Sequence, residues 1–177
     1  MSCGCGGVAR STIIDQFPSE IPKTASFLEV GCNAGNQLLL LKQMGWSNLS
    51  GTALQPYAIE IAQSRVPGVT LKQGSALALP WADNSFDVVF TSGVSIHISP
   101  DELAQAMDEL HRVSKAYIWC LQYFAPEVAQ IRYRDRGELL WKMDFVRAFL
   151  ERFRDLELVK ETRLQYLQNA NLDTVFF

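Results

Sequence analysis

No stretch of the chain approaches the roughly 18 consecutive apolar residues of a membrane-spanning helix. The first 20 residues carry Arg10, Asp15 and Glu20 rather than the layout of a secretory leader. Both absences lead to the expectation of a soluble, cytoplasmic protein. Positive charge is not in excess: 16 Lys and Arg against 19 Asp and Glu leave a net charge of −3, which disfavours a generic nucleic-acid surface. Cysteine is scarce, with four residues at positions 3, 5, 32 and 120, and their spacing fits neither a zinc site nor a disulfide framework. Two thiolates in Cys3-Gly-Cys5 suit a soft metal, but in a glycine-rich stretch they read rather as a flexible end, and no metal is expected. Histidine is scarcer still, with two residues. Internal repeats and low-complexity linkers are absent. What is present is a chain of 177 residues, 48% of them hydrophobic, enough for one core buried on both faces of a parallel sheet.

The richest local signal is FLEVGCNAGNQLLLL, Phe27 to Leu41. A short apolar run, Phe27, Leu28 and Val30, breaks into a loop containing Gly31 and Gly35 and restarts at helical spacing with Leu38, Leu39 and Leu41. The pattern is a strand, a nucleotide-type loop and a helix, with a ligand expected against the helix N-terminus. A dinucleotide loop wants a middle glycine where this chain has Asn33, which disfavours a nicotinamide oxidoreductase. A tight turn holding no ligand is the plain alternative.

Downstream, periodicity predicts a strand over Leu49 to Leu54, a helix opened by Pro56 with Ile59, Ala62 and Val66 on one face, and a short strand from Val69 to Lys72. Asn84-Ser85 reads as the turn into a strand from Phe86 to Phe90. Ser99-Pro100-Asp101-Glu102 is a capping box with proline at the first helical position, and Leu103, Met107, Leu110 and Val113 stripe the helix that follows. Ala116 to Tyr123 makes a fifth strand, about Glu138 to Phe153 a helix, and DLELVKETRLQY and NLDTVFF two further strands.

Glu29, one residue, Gly31, three residues and Gly35 together resemble motif I of the class I S-adenosylmethionine (SAM) dependent methyltransferases, and the likeness runs from Phe27 to Phe177. More narrowly, GNQLLLL, LQPYA, FTSGVSIHISP, YIW and LLWKMDF resemble the methyltransferases associated with pseudaminic acid biosynthesis, found in bacterial surface-sugar gene clusters. The resemblance implies a doubly wound, Rossmann-like α/β sheet of seven mostly parallel strands with a C-terminal antiparallel hairpin. That domain would occupy 27–177 behind a partly flexible segment, 1–26. It implies SAM as cofactor and a small acceptor, a sugar or sugar nucleotide, with no nucleic-acid or membrane partner.

Methyl transfer in line needs a fixed cofactor, an aligned acceptor, excluded water and a base where the acceptor carries a proton. On the matched positions, Gly31, Cys32, Asn33, Ala34, Gly35 and Asn36 would hold the methionine moiety and the ribose, and Glu29 would orient that loop and the cofactor's ammonium. Ala53, Leu54 and Gln55 would border the ribose, Gly74, Ser75 and Ala76 the adenine, and Ser92 the end of the fourth strand. Trp81 either shelters the adenine or plugs the surface.

Two departures stand out. The superfamily's second strand usually ends in an acid that takes the ribose hydroxyls, and here that position is Ala53. Hydrogen bonds to a charged group contribute roughly 1.5–3 kcal/mol each, so its loss implies affinity weaker by one to a few powers of ten. Gln55, two residues on and so on the same strand face, is a partial substitute. Gln122 stands where this branch is expected to carry Glu. The residues alone leave open a weakened enzyme, one of altered specificity, or a degenerate or engineered SAM-binding scaffold.

On the acceptor side, His97 lies just beyond the fourth strand, at the carboxyl edge where ligands bind in open α/β sheets. It is the candidate general base or acceptor-orienting donor, set against the plain reading of a histidine that caps local backbone. His111 reads as surface. Tyr123, Arg132, Arg134, Arg136, Trp141 and Lys142 follow the fifth strand; aromatics suit a sugar face and cations a carboxylate or phosphate. Of these, Tyr123, Arg136, Trp141 and Lys142 are the substrate-binding candidates, against a solvated loop plus a helix anchor. The segment ahead of the sheet is short for this superfamily, which implies a cofactor site without a lid.

Overall fold

The computed structural model describes residues 21–133, 136–165 and 172–176, and no side chain between 132 and 139. The N-terminal segment up to residue 20, Arg134 and the side chains of Arg132 and Arg136 lie outside that description. Five strands, β1 (Phe27–Val30), β2 (Leu49–Ala53), β3 (Thr70–Gln73), β4 (Phe86–Ser92) and β5 (Ser114–Phe124), run parallel in the order β3-β2-β1-β4-β5. An antiparallel hairpin, β8 (Glu161–Gln165) and β9 (Leu172–Phe176), continues the same sheet beyond β5. A separate antiparallel ribbon joins β6 (Ala129–Tyr133) to β7 (Arg136–Lys142).

All four residues of β1 are buried, because successive side chains of a central strand feed opposite faces of the sheet. Phe27 joins Leu38 and Leu41 of α1 (Asn36–Gln43) and Ala58 of α2 (Pro56–Arg65). Leu28 and Val30 join Leu103, Met107 and Leu110 of α3 (Pro100–Val113) and Phe149 of α4 (Phe145–Arg152) on the other face. Each such side chain contributes roughly 1.5–3 kcal/mol on full burial, so the α/β, doubly wound arrangement follows from the alternation in β1 and the helical stripes around it. Edge-on ring pairs, Phe27 with Trp46 at 5.5 Å and Phe90 with Trp119 at 5.6 Å, tighten the first core.

Three expectations are corrected. The helix expected over Glu138 to Phe153 begins only at Phe145, where the Asp144 carboxylate accepts a hydrogen bond from the Arg147 backbone N–H at 3.0 Å. The residues before it form β7, drawn into extended form by pairing with β6, whose strand was not expected. The segment DLELVKETRLQY is strand only from Glu161, and β3 is displaced by one residue to Thr70–Gln73. No helix among the described residues is long and apolar enough to cross a membrane.

Candidate functional site

Strand order reverses between β1 and β4, and in open α/β sheets the crevice outside the carboxyl ends at such a point is where ligands lodge. A cleft opens there. Val30 and Gly31 line it from the end of β1, Thr52 from β2 and Leu54 just past its end, and Gly74 to Leu77 from the loop after β3. Val94, His97 and Ile98, around the short 3-10 turn Ser95–His97, and Glu102 of α3 complete the walls.

The glycine loop is built for close approach. Gly31 and Gly35 have φ of +78° and +72°, and Asn33 has +47°, backbone that side chains resist and glycine adopts freely. A Cβ on Gly31 would lie 2.2 Å from Val94 Cγ2. The Gly31 and Cys32 N–H groups donate to the Thr52 carbonyl at 2.8 and 2.9 Å, and Arg65 Nη1 donates to the Ala34 carbonyl at 3.3 Å, so α2 and β2 hold the loop from both sides. Asn36 opens α1, half-buried.

Glu29 lies beneath this loop, 3% exposed, and its Oε2 has no partner among the described residues. Burial pushes its carboxyl well above the usual carboxylate range, against the lowering effect of the Leu38 backbone N–H. Burial, followed by the charge of Glu29, pushes the Cys32 thiol up to about 12, so it stays protonated and unreactive near neutrality. Because the folded-state pKa of Glu29 is raised, its contribution to stability is fully present below the ordinary value of 4.5 and is lost as pH rises through the folded-state value. Glu29→Gln is therefore expected to melt several degrees above wild type at about pH 8 and to lose that advantage near pH 4, read by thermal melts across the range.

In the wall of the cleft that follows β3, Ser75 Oγ accepts from the Leu77 N–H at 3.1 Å, which folds the loop on itself. Glu109 Oε2 accepts from the Leu79 N–H at 2.6 Å, while Arg112 donates to the Leu79 and Trp81 carbonyls at 3.2 and 2.9 Å and to Asp83 and Glu109. The loop is thereby clamped to α3. Trp81 is a plug: its Nε1 donates to Thr52 Oγ1 at 2.7 Å, its ring meets Phe86 edge-on at 5.1 Å, and it does not line the cleft.

The cleft brings together Gly31, Leu54, Gly74, Ser75, Ala76 and His97 from the expected set. Ala53 is 4% exposed and packs into the apolar cluster that holds Ala58. Gln55 does not share a strand face with it, because β2 ends at Ala53 and Gln55 becomes the exposed N-cap residue of α2. Ser92 closes β4, half-buried. Tyr123, Trp141 and Lys142 lie outside the cleft, with Lys142 Nζ 5.3 Å from the Tyr123 ring centre. Val94 and Ile98 were missed, since no local pattern marks a residue brought in by a distant turn, and Thr52 was missed within the expected second strand. Glu102 was read only as a cap; Ser99 Oγ donates to its carboxylate at 3.0 Å rather than binding backbone N–H. His111 is tied to Asp155 at 2.8 Å and stacked on Phe153 at 4.2 Å, on α3 away from the cleft.

Comparison with known proteins places this geometry. The family model described as a methyltransferase domain matches residues 28–120. A demethylmenaquinone methyltransferase of Lactiplantibacillus plantarum is 26% identical over 173 residues, 88% of this chain and 70% of that protein. One from Chlorobaculum parvum is 32% identical over 50% of this chain and 36% of its own length; the chain thus spans little more than a third of the second relative. A SAM-dependent methyltransferase structure from Methanosarcina mazei superposes with a TM-score of 0.70 at 21% identity, covering 88% of this chain and 92% of that one, and shows the same Rossmann-like fold. The match from β1 into β5, with the glycine loop and cleft inside it, establishes that the chain belongs to the methyltransferase-domain family, with S-adenosylmethionine as its cofactor.

Proposed function

We propose that this chain transfers the methyl group of SAM to a small acceptor positioned over the Ser95–His97 turn, with His97 as general base. The observation that carries the reading is the placement of His97 in the same cleft as the glycine loop and Leu54. The residues fit the cofactor. Glu29 Oε2 is a buried oxygen awaiting a donor, suited to an ammonium. Leu54, 62% exposed although apolar, offers a surface for a flat base. When bound, SAM supplies an electrophilic methyl group on a sulfonium. Around it, Gly31 to Gly35 would hold the amino-acid portion and Gly74 to Ala76 the base. His97 would accept the acceptor's proton on a ring nitrogen, and Val94 and Ile98 would exclude water from the reacting atoms.

For the acceptor, the first reading is a sugar or sugar nucleotide, supported by the surface-sugar branch resemblance and by Tyr123 at the end of β5 with Lys142 Nζ 5.3 Å from its ring centre, with Trp141 and Arg136 of β7 added from the sequence. The second is a quinol, supported by the names of the curated relatives. The family model ends at residue 120, before those acceptor-side residues begin. A non-catalytic SAM-binding scaffold is the rival that Ala53 favours. Isothermal titration with SAM followed by transfer of radiolabelled methyl to sugar and quinol acceptors tests the reading. Binding with turnover supports it, binding without turnover to any acceptor favours the scaffold, and no binding defeats both.

Ala53→Glu is expected to tighten SAM by about 10-fold or more, since a carboxylate beside the loop can take the ribose hydroxyls. The same change should lower the melting temperature of the unliganded protein, because position 53 packs against apolar neighbours. Titration and melting of the variant check both halves.

A further inference from the structure

Two polar side chains near the carboxyl edge of the sheet are buried without a hydrogen-bond partner among the described residues. Gln122 of β5 is 1% exposed, and neither its Nε2 nor its Oε1 has a hydrogen-bond partner among the described residues; Thr91 of β4, also 1% exposed, leaves its Oγ1 in the same state. Strand register puts them side by side. Thr91 pairs with Cys120, and Gln122 follows two residues later, on the same face and one step nearer the edge. Thr91 also pairs with Val30, a wall of the cleft. Thr91 therefore lies one strand and Gln122 two strands away from the strand that carries the glycine loop, on the side where the chain continues into the acceptor-side residues.

Their surroundings define what can satisfy them. Val30, Cys120, Ile96 of the Ser95–His97 turn and Leu140 of β7 belong to one apolar cluster on this face. A charge brought in there would be unpaired and desolvated, which is strongly disfavoured. A neutral group is not. The amide of Gln122 offers both donors and an acceptor, and the Thr91 hydroxyl offers both as well. Buried polar groups almost always have partners, and a pair kept without them beside a ligand cleft marks where another molecule completes the bonding.

We propose that Gln122, backed by Thr91, is a specificity-determining contact for the acceptor, taking a neutral hydroxyl carried on an uncharged part of that molecule. The assignment rests on the methyl-transfer reading above and adds the substrate class: a hydroxyl-bearing acceptor, neutral at this position, in place of a carboxylate or phosphate. The Ser95–His97 turn and β7 pack against each other and over β5. The turn is preceded by Gly93, at φ +67°. Sugars and quinols both present such hydroxyls, so the shared chemistry is the claim and the experiment separates the sources.

The test uses the full chain saturated with SAM and follows fragment binding by saturation-transfer NMR. In the sugar arm, methyl glucopyranoside competes with glucuronate and glucose 6-phosphate; in the quinol arm, 1,4-dihydroxynaphthalene competes with 1,4-dihydroxy-2-naphthoate. Wild type is expected to prefer the neutral member of one arm by about 10-fold or more, and that arm names the source. Gln122→Met should erase the preference, keep SAM affinity within about 3-fold and raise the melting temperature by about 2–6 °C, since an orphaned amide has been removed. Gln122→Glu, a closer isostere, should also erase it. Charged members binding as well or better, no fragment binding at all, a preference that survives in both variants, or a lower melting temperature in Gln122→Met would each overturn the assignment. Failure of wild type to bind SAM would instead bring down the methyl-transfer reading on which it rests.

Discussion

Valine at position 31 is expected to weaken SAM binding by at least about 100-fold, beyond ordinary detection in a titration. Two effects combine. The backbone there has φ of +78°, and a branched side chain held in that region costs on the order of 1–3 kcal/mol. The added Cβ would also lie 2.2 Å from Val94 Cγ2, so either the glycine loop or the turn carrying His97 must shift. From sequence the substitution looks as if it only fills ligand space; in the folded chain Val94 is struck first, and the loss includes a displaced wall. Gly35→Ala should be milder, because its Cβ would stand 3.1 Å from Val66 Cγ2 and 3.3 Å from Ala62 Cβ. A folded Gly31→Val protein, verified by circular dichroism, that still binds SAM with wild-type affinity would refute the loop assignment.

His97→Ala is expected to slow methyl transfer by roughly 10²- to 10⁴-fold, the usual worth of a general base, while SAM affinity stays within a few-fold. His97 lines the cleft from an exposed position, so its removal opens no core cavity and the fold should persist. Single-turnover transfer of radiolabelled methyl measures the chemical step, and added imidazole should restore part of the lost rate. A variant with wild-type turnover would leave alignment of the acceptor as the only catalytic device at that edge of the sheet.

How far the chain could be read before folding depended on whether the decisive contact was local. Phe27 to Leu41 was legible because the apolar spacing changes from strand to helix across two glycines, and the stripe of Leu103, Met107, Leu110 and Val113 was legible because every member is buried on one face of α3. The segment around Leu139, Leu140 and Trp141 was not, since a short apolar run fits either state and only pairing with β6 makes it strand. In the site, Gly31, Leu54, Gly74, Ser75, Ala76 and His97 were reachable through motif positions. Val94 was not, because its contact with Gly31 spans the chain between two strands. Gln55 was misplaced for the opposite reason: strand alternation was carried two residues past the point where β2 stops.

The clamp of Arg112 and Glu109 on the Leu79 and Trp81 backbone gives the cleft a mechanical partner. A loop joined to a 14-residue helix by several hydrogen bonds does not open alone; the two belong to one cooperative unit of local unfolding. Whatever quiets the loop when the cofactor arrives should then slow amide exchange along α3, far beyond the atoms that touch the ligand. That helix becomes a reporter of occupancy, readable by deuterium uptake before any acceptor has been found.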